Sequence, residues 1–315
     1  MKSKIIEWID ASKTIGKRSD FVQGGGGNTS VKISDTLMAI KSSGTFLADM
    51  SLDSGYTFVD HKELSIGIHP SLNEKTAEDL LLSNVKKISG FSKGRPSMET
   101  GFHAILDTYV IHTHSVYANI INCAENGAVL MEAAFKDTSI SPVWVPYVAP
   151  GLQLTLAIKH IIKNAPKTKV FFLENHGIIV TSSSLEDTLN LHALTNKIVT
   201  NYLNLPAFKI SCELTQISED TFTADLELPT TDITSQVLFP DQTIYLSKDF
   251  NQNANQVIFN AKHKKAVCML QTLLAYLYIV EKAQKLKISL TQLKLEDIAY
   301  IHGMPSEKYR KGLNT

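Results

Sequence analysis

Hydrophobic and polar positions switch between two periods over the first two thirds of the chain. "MKSKIIEWIDASK" (1–13) sets apolar residues at helical spacing among charges and predicts a short amphipathic helix. "EDLLLSNVKKI" (78–88), with leucines at the same spacing, predicts another. "TYVIHTH" (108–114) is rich in β-branched and aromatic residues and predicts a strand, after which Ser115 can cap a helix over "VYANIINCA". "KVFFLENHGIIVT" (169–181) predicts two short buried strands meeting at a bend on Asn175-His176-Gly177. Beyond it, Ser184 and Asp187 form a capping pair, and Leu185, Leu189 and Ala193 make an i, i+4, i+8 stripe. That helix closes a first domain near residue 205.

The pattern changes at Pro206. "TQISEDTFTADLELPTTDITSQ" (215–236), rich in Thr, Ser, Asp and Glu, reads as a connecting region with little core of its own. "QTIYL" (242–246) and "QVIFN" (256–260) predict strands, 261–287 a long helix and about 290–301 a short one. The expected architecture is α/β: a domain over 1–205 and a smaller α+β extension over 206–315 that packs on the core or at a subunit interface.

Composition narrows the partners. A 315-residue chain with 43% hydrophobic and 20% charged residues is that of an ordinary globular protein. Lys+Arg and Asp+Glu both number 31, so no net positive charge draws the molecule to nucleic acid or anionic lipid. Cys123, Cys212 and Cys268 are odd in number and widely spaced, which fits a reducing compartment. The apolar run 266–280 falls short of the roughly 20 residues needed to span a bilayer. These features predict a cytoplasmic protein with no membrane or nucleic-acid partner.

Candidate chemistry lies in four places. Along a strand, residues i and i+2 share a face about 6.6–6.8 Å apart, so His112 and His114 can converge on one ion, with Thr113 facing the other way. The pair alone is a weak signal, and the other reading is two imidazoles at a strand end with nothing to hold. His176, beside Gly177 at a bend, either caps a strand end or is aimed into a cleft as a third ligand, and three neutral imidazoles suit a catalytic type of zinc site. In "GRPSMETGFHAIL" (94–106), Pro96 and Ser97 mark a helix start and put Glu99 in its first turn. There it complements the helix dipole or serves as a base beside a metal. His103, at i+4, either orients Glu99 or belongs to the core.

In "FVQGGGGNTSVKI" (21–33), four glycines before Asn28 and Thr29 allow backbone N–H groups to cradle an anion, or form a plain turn. The stretch lacks the Lys of a P-loop and the G-x-G-x-x-G entry to a helix. "AIKSSGTF" (39–46) offers Ser42, Ser43 and Gly44 as another side of the same pocket.

The order GGGGNTS, K-S-S-G, P-S-x-E-T-x-x-H, H-T-H, N-H-G over residues 15–205 resembles the class II aldolase/adducin family, which includes fuculose-phosphate and rhamnulose-phosphate aldolases. "GGGGNTSVK" and "PSMETGFHA" look like the aldolase part of long rhamnulose-phosphate aldolase/alcohol dehydrogenase proteins. "VLFPDQTIYL" resembles the segment next to that aldolase part on its C-terminal side. The resemblance implies a three-layer α/β/α domain on a mainly antiparallel central sheet. It also implies Zn2+ (or another divalent metal) bound by His112, His114 and His176, and Glu99 as catalytic acid/base. Gly27, Asn28, Thr29, Ser43, Gly44 and Ser97 would hold the substrate and its phosphate. One departure is Met98, where the short fuculose-type enzymes carry a second Ser, so one phosphate hydroxyl is missing.

The implied reaction is cleavage of a ketose or ketose 1-phosphate through a metal-stabilised enediolate, by a homo-oligomer, often a tetramer. Epimerases, dehydratases and decarboxylases of sugar phosphates use the same scaffold, and an adducin-like interaction protein is the non-catalytic alternative. Lys308, Tyr309 and Arg310 could reach substrate if the C-terminus closes as a lid.

Overall fold

The computed structural model describes residues 1–226, 228, 236–246, 250–253 and 256–304. In chain order the first part runs α1 (Lys2–Gly16), β1 (Asn28–Lys32), β2 (Leu37–Lys41), β3 (Tyr56–Asp60), α2 (His61–Gly67), α3 (Glu74–Ser83), β4 (Val85–Lys86), α4 (Thr100–Ile105), β5 (Tyr109–Thr113) and α5 (Val116–Asn122). Next come α6 (Gly127–Phe135), β6 (Val143–Val145), α7 (Leu152–Asn164), β7 (Val170–Leu173), β8 (Gly177–Ser182) and α8 (Leu185–Tyr202). The remainder forms β9 (Thr215–Ser218), β10 (Thr221–Asp225), α9 (Pro240–Tyr245), β11 (Phe250–Asn253), β12 (Gln256–Asn260), α10 (His263–Leu286) and α11 (Leu295–Gly303).

Eight strands build one sheet in the order β4-β3-β2-β1-β5-β8-β7-β6, antiparallel except for the parallel β6–β7 pair. Alternation along the strands sorts their side chains into two buried layers. Val31, Phe58, Ile111, Phe172 and Val180 pack with Trp8 of α1, Ile120 of α5 and Val199 of α8. Their neighbours Ile40, Val59, Val110, Phe171 and Ile179 face α2, α4 and α7 on the other side. This is the three-layer α/β/α arrangement with a mainly antiparallel centre.

Beyond Tyr202 a second, four-stranded antiparallel sheet has the order β11-β12-β10-β9. Phe222 and Ala224 on β10 and Val257 and Phe259 on β12 join the same hydrophobic cluster as α1, α5 and α10. The core is therefore continuous across the boundary drawn near residue 205.

The expected connecting region contains the strands β9 and β10. Their Thr-rich alternation, with one buried edge, hid them among polar residues; residues 227 and 229–235 of that stretch lie outside the described residues. "QTIYL" is the second correction, because Pro240 occupies the first helical turn and α9 forms instead of a strand. The Gln242 side chain accepts from Leu238 N and donates to Gln236 O, which fixes that turn.

The helix expected over 78–88 starts earlier. Asn73 and Thr76 form a capping box, and the chain after Asn84 pairs with β3 as β4. In "GRPSMETGFHAIL" the helix starts at Thr100, because Pro96 bridges Ser42 and the carboxylate of Glu99 is used elsewhere.

The apolar run 266–280 lies inside the 24-residue α10, which by length and composition alone could cross a membrane. Of its most apolar window 67% is buried inside the protein, where Met269, Leu273 and Tyr276 pack in the core. Lys308, Tyr309 and Arg310 lie outside the described residues.

If the second sheet shares the main core, Phe259→Ala should cost about 3–5 kcal/mol of unfolding free energy, the usual range for a buried Phe. Urea denaturation of the full chain reads this; a loss below about 1 kcal/mol would mean that the sheet folds apart from the core.

Candidate functional site

β5 lies between β1 and β8, and its register sets the site. Asn28 pairs with His112 across the β1–β5 ladder, and His112 pairs with Ile179 across β5–β8. Asn28, Ser30, Val110 and His112 thus share the face covered by α4. Thr113 points to the opposite layer, where its hydroxyl meets His192 Nε2 at 2.8 Å.

The three histidines converge. Their candidate ligand atoms all lie within 4.8 Å of one another, and all three side chains are buried. His112 Nδ1 donates to Ile178 O at 2.9 Å, and His114 Nδ1 donates to Asp241 Oδ2 at 2.6 Å. Those bonds leave both Nε2 atoms, 3.1 Å apart, presenting lone pairs inward. His176 comes from the β7–β8 bend, where Asn175 takes a left-handed φ of 51° and Gly177 is so close to Thr113 O that a Cβ would lie 2.4 Å from it. Burial pushes His112 down to about 4 and His176 to about 3, so both are neutral and competent as ligands at pH 7.

Glu99 faces this cluster from the N-cap position, just before α4. Its Oε2 is 3.5 Å from His112 Nε2 and its Oε1 is 3.5 Å from His176 Nε2. Burial opposes its ionisation, but the pull of His112, His176 and His114 and the Asn28 amide hold its carboxyl below the ordinary range. The amide donates to Oε2 at 2.7 Å, while the buried Oε1 has no hydrogen-bond partner. An orphaned carboxylate oxygen beside three inward-facing imidazoles is a donor set that a divalent cation would complete.

A chain of hydrogen bonds behind Glu99 has only one consistent polarity. Glu99 accepts, so the Asn28 Nδ2 donates, and Asn28 Oδ1 must accept from His103 Nε2. His103 Nδ1 then accepts from the Ser30 hydroxyl at 2.7 Å. Burial keeps His103 neutral, as this tautomer requires. His103 thus acts on Glu99 through Asn28, not directly.

A cleft of about 560 Å³ opens over these groups, lined by Gly25, Gly26, Gly27, Asn28, Ser43, Gly44, Ser97, Glu99, His114 and His176. Buried His112 lies behind two of these groups, its ring centroid 4.9 Å from those of His114 and His176. Of the residues expected to hold substrate, Gly27, Asn28, Ser43, Gly44 and Ser97 come together there. Thr29 does not: alternation along β1 turns it to the other face, where its hydroxyl bonds Ser12 at 2.7 Å. Ser42 also turns away and packs against Gly94. Gly27, with φ of 64°, lies where a Cβ would stand 2.8 Å from His112 O, so the loop can approach β5 only as glycine.

Two cleft residues escaped sequence reasoning. Lys41 is 4% exposed, donates to Gly25 O at 3.0 Å and brings a cation to the Gly-rich side. A Lys in the apolar run "LMAIK" was the available signal, since such a residue is rarely buried without a polar task. Asp241, on α9, lies in "VLFPDQTIYL" just before the stretch read as strand, and nothing in its spacing ties it to His114.

The description "Class II Aldolase and Adducin N-terminal domain" matches residues 7–203, more than half of the chain. The chain belongs to this family. It is 31% identical over 195 residues to "Uncharacterized oxidoreductase YuxG" of Bacillus subtilis, a match covering 58% of this chain but only 27% of that protein. It is 26% identical over 179 residues to "3-oxo-tetronate 4-phosphate decarboxylase" of Haemophilus influenzae, covering 53% and 71%. Among solved structures, the N-terminal class II aldolase domain of a conserved protein from Thermoplasma acidophilum has the same fold. Its TM-score is 0.54 at 22% identity, over 62% of this chain and 92% of that one.

Replacing His103 by Leu leaves Asn28 Oδ1 and Ser30 Oγ without their partner in a buried site. The expected loss is about 1–3 kcal/mol in urea unfolding. An unchanged midpoint would show that the relay is not formed.

Proposed function

We propose that the cleft is the active site of a lyase that uses a divalent metal, Zn2+ by its donor set, to cleave a small ketose or ketose 1-phosphate. The observation that carries this reading is the convergence of three buried imidazoles on a carboxylate whose Oε1 has no hydrogen-bond partner. His112, His114 and His176 would hold the ion. When bound, it supplies Lewis-acid stabilisation of negative charge on the substrate oxygens.

The chain's own groups do the rest. Glu99, ionised at neutral pH, takes or returns the proton on the carbon next to the substrate carbonyl. Asn28 keeps that carboxylate turned toward the histidines, and His103 and Ser30 keep Asn28 from flipping. Lys41, Ser43 and Ser97, with the glycine loop, form a cationic, hydroxyl-rich end suited to a phosphate, which compensates for Met98 in place of a second Ser. Anchoring that end sets the reacting carbon against Glu99.

A second reading, decarboxylation of a 3-oxo sugar acid phosphate, is favoured by the Haemophilus influenzae relative. It uses the same residues: as the C–C bond breaks and carbon dioxide leaves, the electron pair stays on the substrate as an enolate, and Glu99, after taking a proton from water, delivers it to that carbon.

Incubation with ketose 1-phosphates, free ketoses and 3-oxo acid phosphates, reading released aldehyde and carbon dioxide separately, decides between the two. Glu99→Gln should keep its stoichiometric metal and lose about 10²–10⁴-fold in turnover. Lys41→Met should raise the Michaelis constant for phosphorylated substrates more than for free sugars. Protein without divalent metal, together with unchanged turnover in Glu99→Gln, would sink the proposal.

A further inference from the structure

The matched family region ends at residue 203, yet one wall of the cleft is made by Pro240, Asp241, Ile244 and Ile301. Asp241 is 4% exposed, and its Oδ2 lies 2.6 Å from His114 Nδ1. A Cβ on Gly26 would stand 2.6 Å from the same oxygen and 2.7 Å from that nitrogen, so the glycine loop closes over this pair without room for a side chain.

We infer that Asp241 is a positioning residue for the metal: the C-terminal segment supplies the carboxylate that orients His114. The inference rests on the reading of the three histidines as a metal site. His112 is oriented from within the sheet by Ile178 O, whereas His114 lies just past the end of β5 and has its Nδ1 partner on α9. A carboxylate there fixes the ring angle and the tautomer, so that Nε2 faces His112 Nε2. Glu99 and Asp241 together would also balance the charge of a divalent ion among neutral imidazoles.

The segment that carries Asp241 is itself anchored to the site. Asn175, which precedes His176, donates through Nδ2 to Leu238 O at 2.7 Å and to Thr291 O at 2.8 Å. Leu293 N donates to Val237 O at 2.8 Å. The bend that aims the third imidazole and the turn that aims the carboxylate are therefore one hydrogen-bonded unit. Pro240 at the first helical position presets the backbone that brings Asp241 to His114.

The test is the zinc affinity of the full-length, metal-stripped chain, measured by chelator competition, with the melting temperature of the stripped protein followed in parallel. Asp241→Asn, nearly isosteric, should leave that temperature unchanged and weaken zinc binding about 10-fold; Asp241→Ala should weaken it toward about 100-fold. The visible spectrum of the cobalt-loaded protein should change in Asp241→Asn. In a His114→Ala background, Asp241→Asn should have no further effect, because its action passes through that ring.

Wild-type chain without zinc affinity would overturn the metal reading itself. Wild type that binds, with Asp241→Asn and Asp241→Ala within twofold of it, would overturn only the role of Asp241. So would a loss of affinity that persists in the His114→Ala background, or one matched by a lowered melting temperature of the stripped protein.

Discussion

The antiparallel pairing of Asn28 with His112 is the constraint on which the site depends. It puts the end of the glycine loop beside the first histidine and fixes which face of β1 carries Asn28 and Ser30. A register shift of one residue would send both polar side chains into the layer that holds α1 and α5 and bring Thr29 into the cleft. Gly27 permits the pairing, since any Cβ there meets the carbonyl of His112. The network from Ser30 to Glu99 is a consequence: α4 needs only to lie across this face for His103 and Glu99 to reach opposite ends of the Asn28 amide. Central sheet pairing thus places Asn28 and His112, and the short segments next to the strands place His114 and His176.

Much of this was legible because it is local. H-x-H in a β-branched run puts two imidazoles on one face, and a bend at Asn175-His176-Gly177 between apolar runs offers a side chain that caps a strand end or enters a cleft; in the fold it lines the cleft. The α/β alternation of the first 205 residues is largely written in periods of hydrophobicity, although pairing with β3 turns the end of the helix expected over 78–88 into β4. Where reading failed, a distant partner decided the outcome. "QTIYL" has strand composition, but Pro240 and the Gln242 contacts to Leu238 and Gln236 turn it into a helix. The polar strands β9 and β10 exist because β12 supplies a ladder and α10 a surface for Phe222 and Ala224. Thr29 looked like its neighbour Asn28, and only the pleat separates them.

The same distinction explains why Asp241 was invisible. An orienting carboxylate needs no spacing relative to its imidazole in sequence; it needs a fold that returns the chain to the site. Here the return is made by packing: α10 lies against α5, the helix that comes directly after His114, and shares its core with the second sheet. Burial of these apolar faces, at roughly 25 cal/mol per Å², holds the extension on the domain alongside the hydrogen bonds from Asn175. The polar contact of Asp241 acts within that scaffold. A buried carboxylate and a buried amide cost free energy unless they are hydrogen-bonded, so the interface that buries them must also hold their partners in place. In this chain the apolar seam between α5 and α10 does so, and the glycine at position 26 leaves the space in which the histidine and the carboxylate can meet.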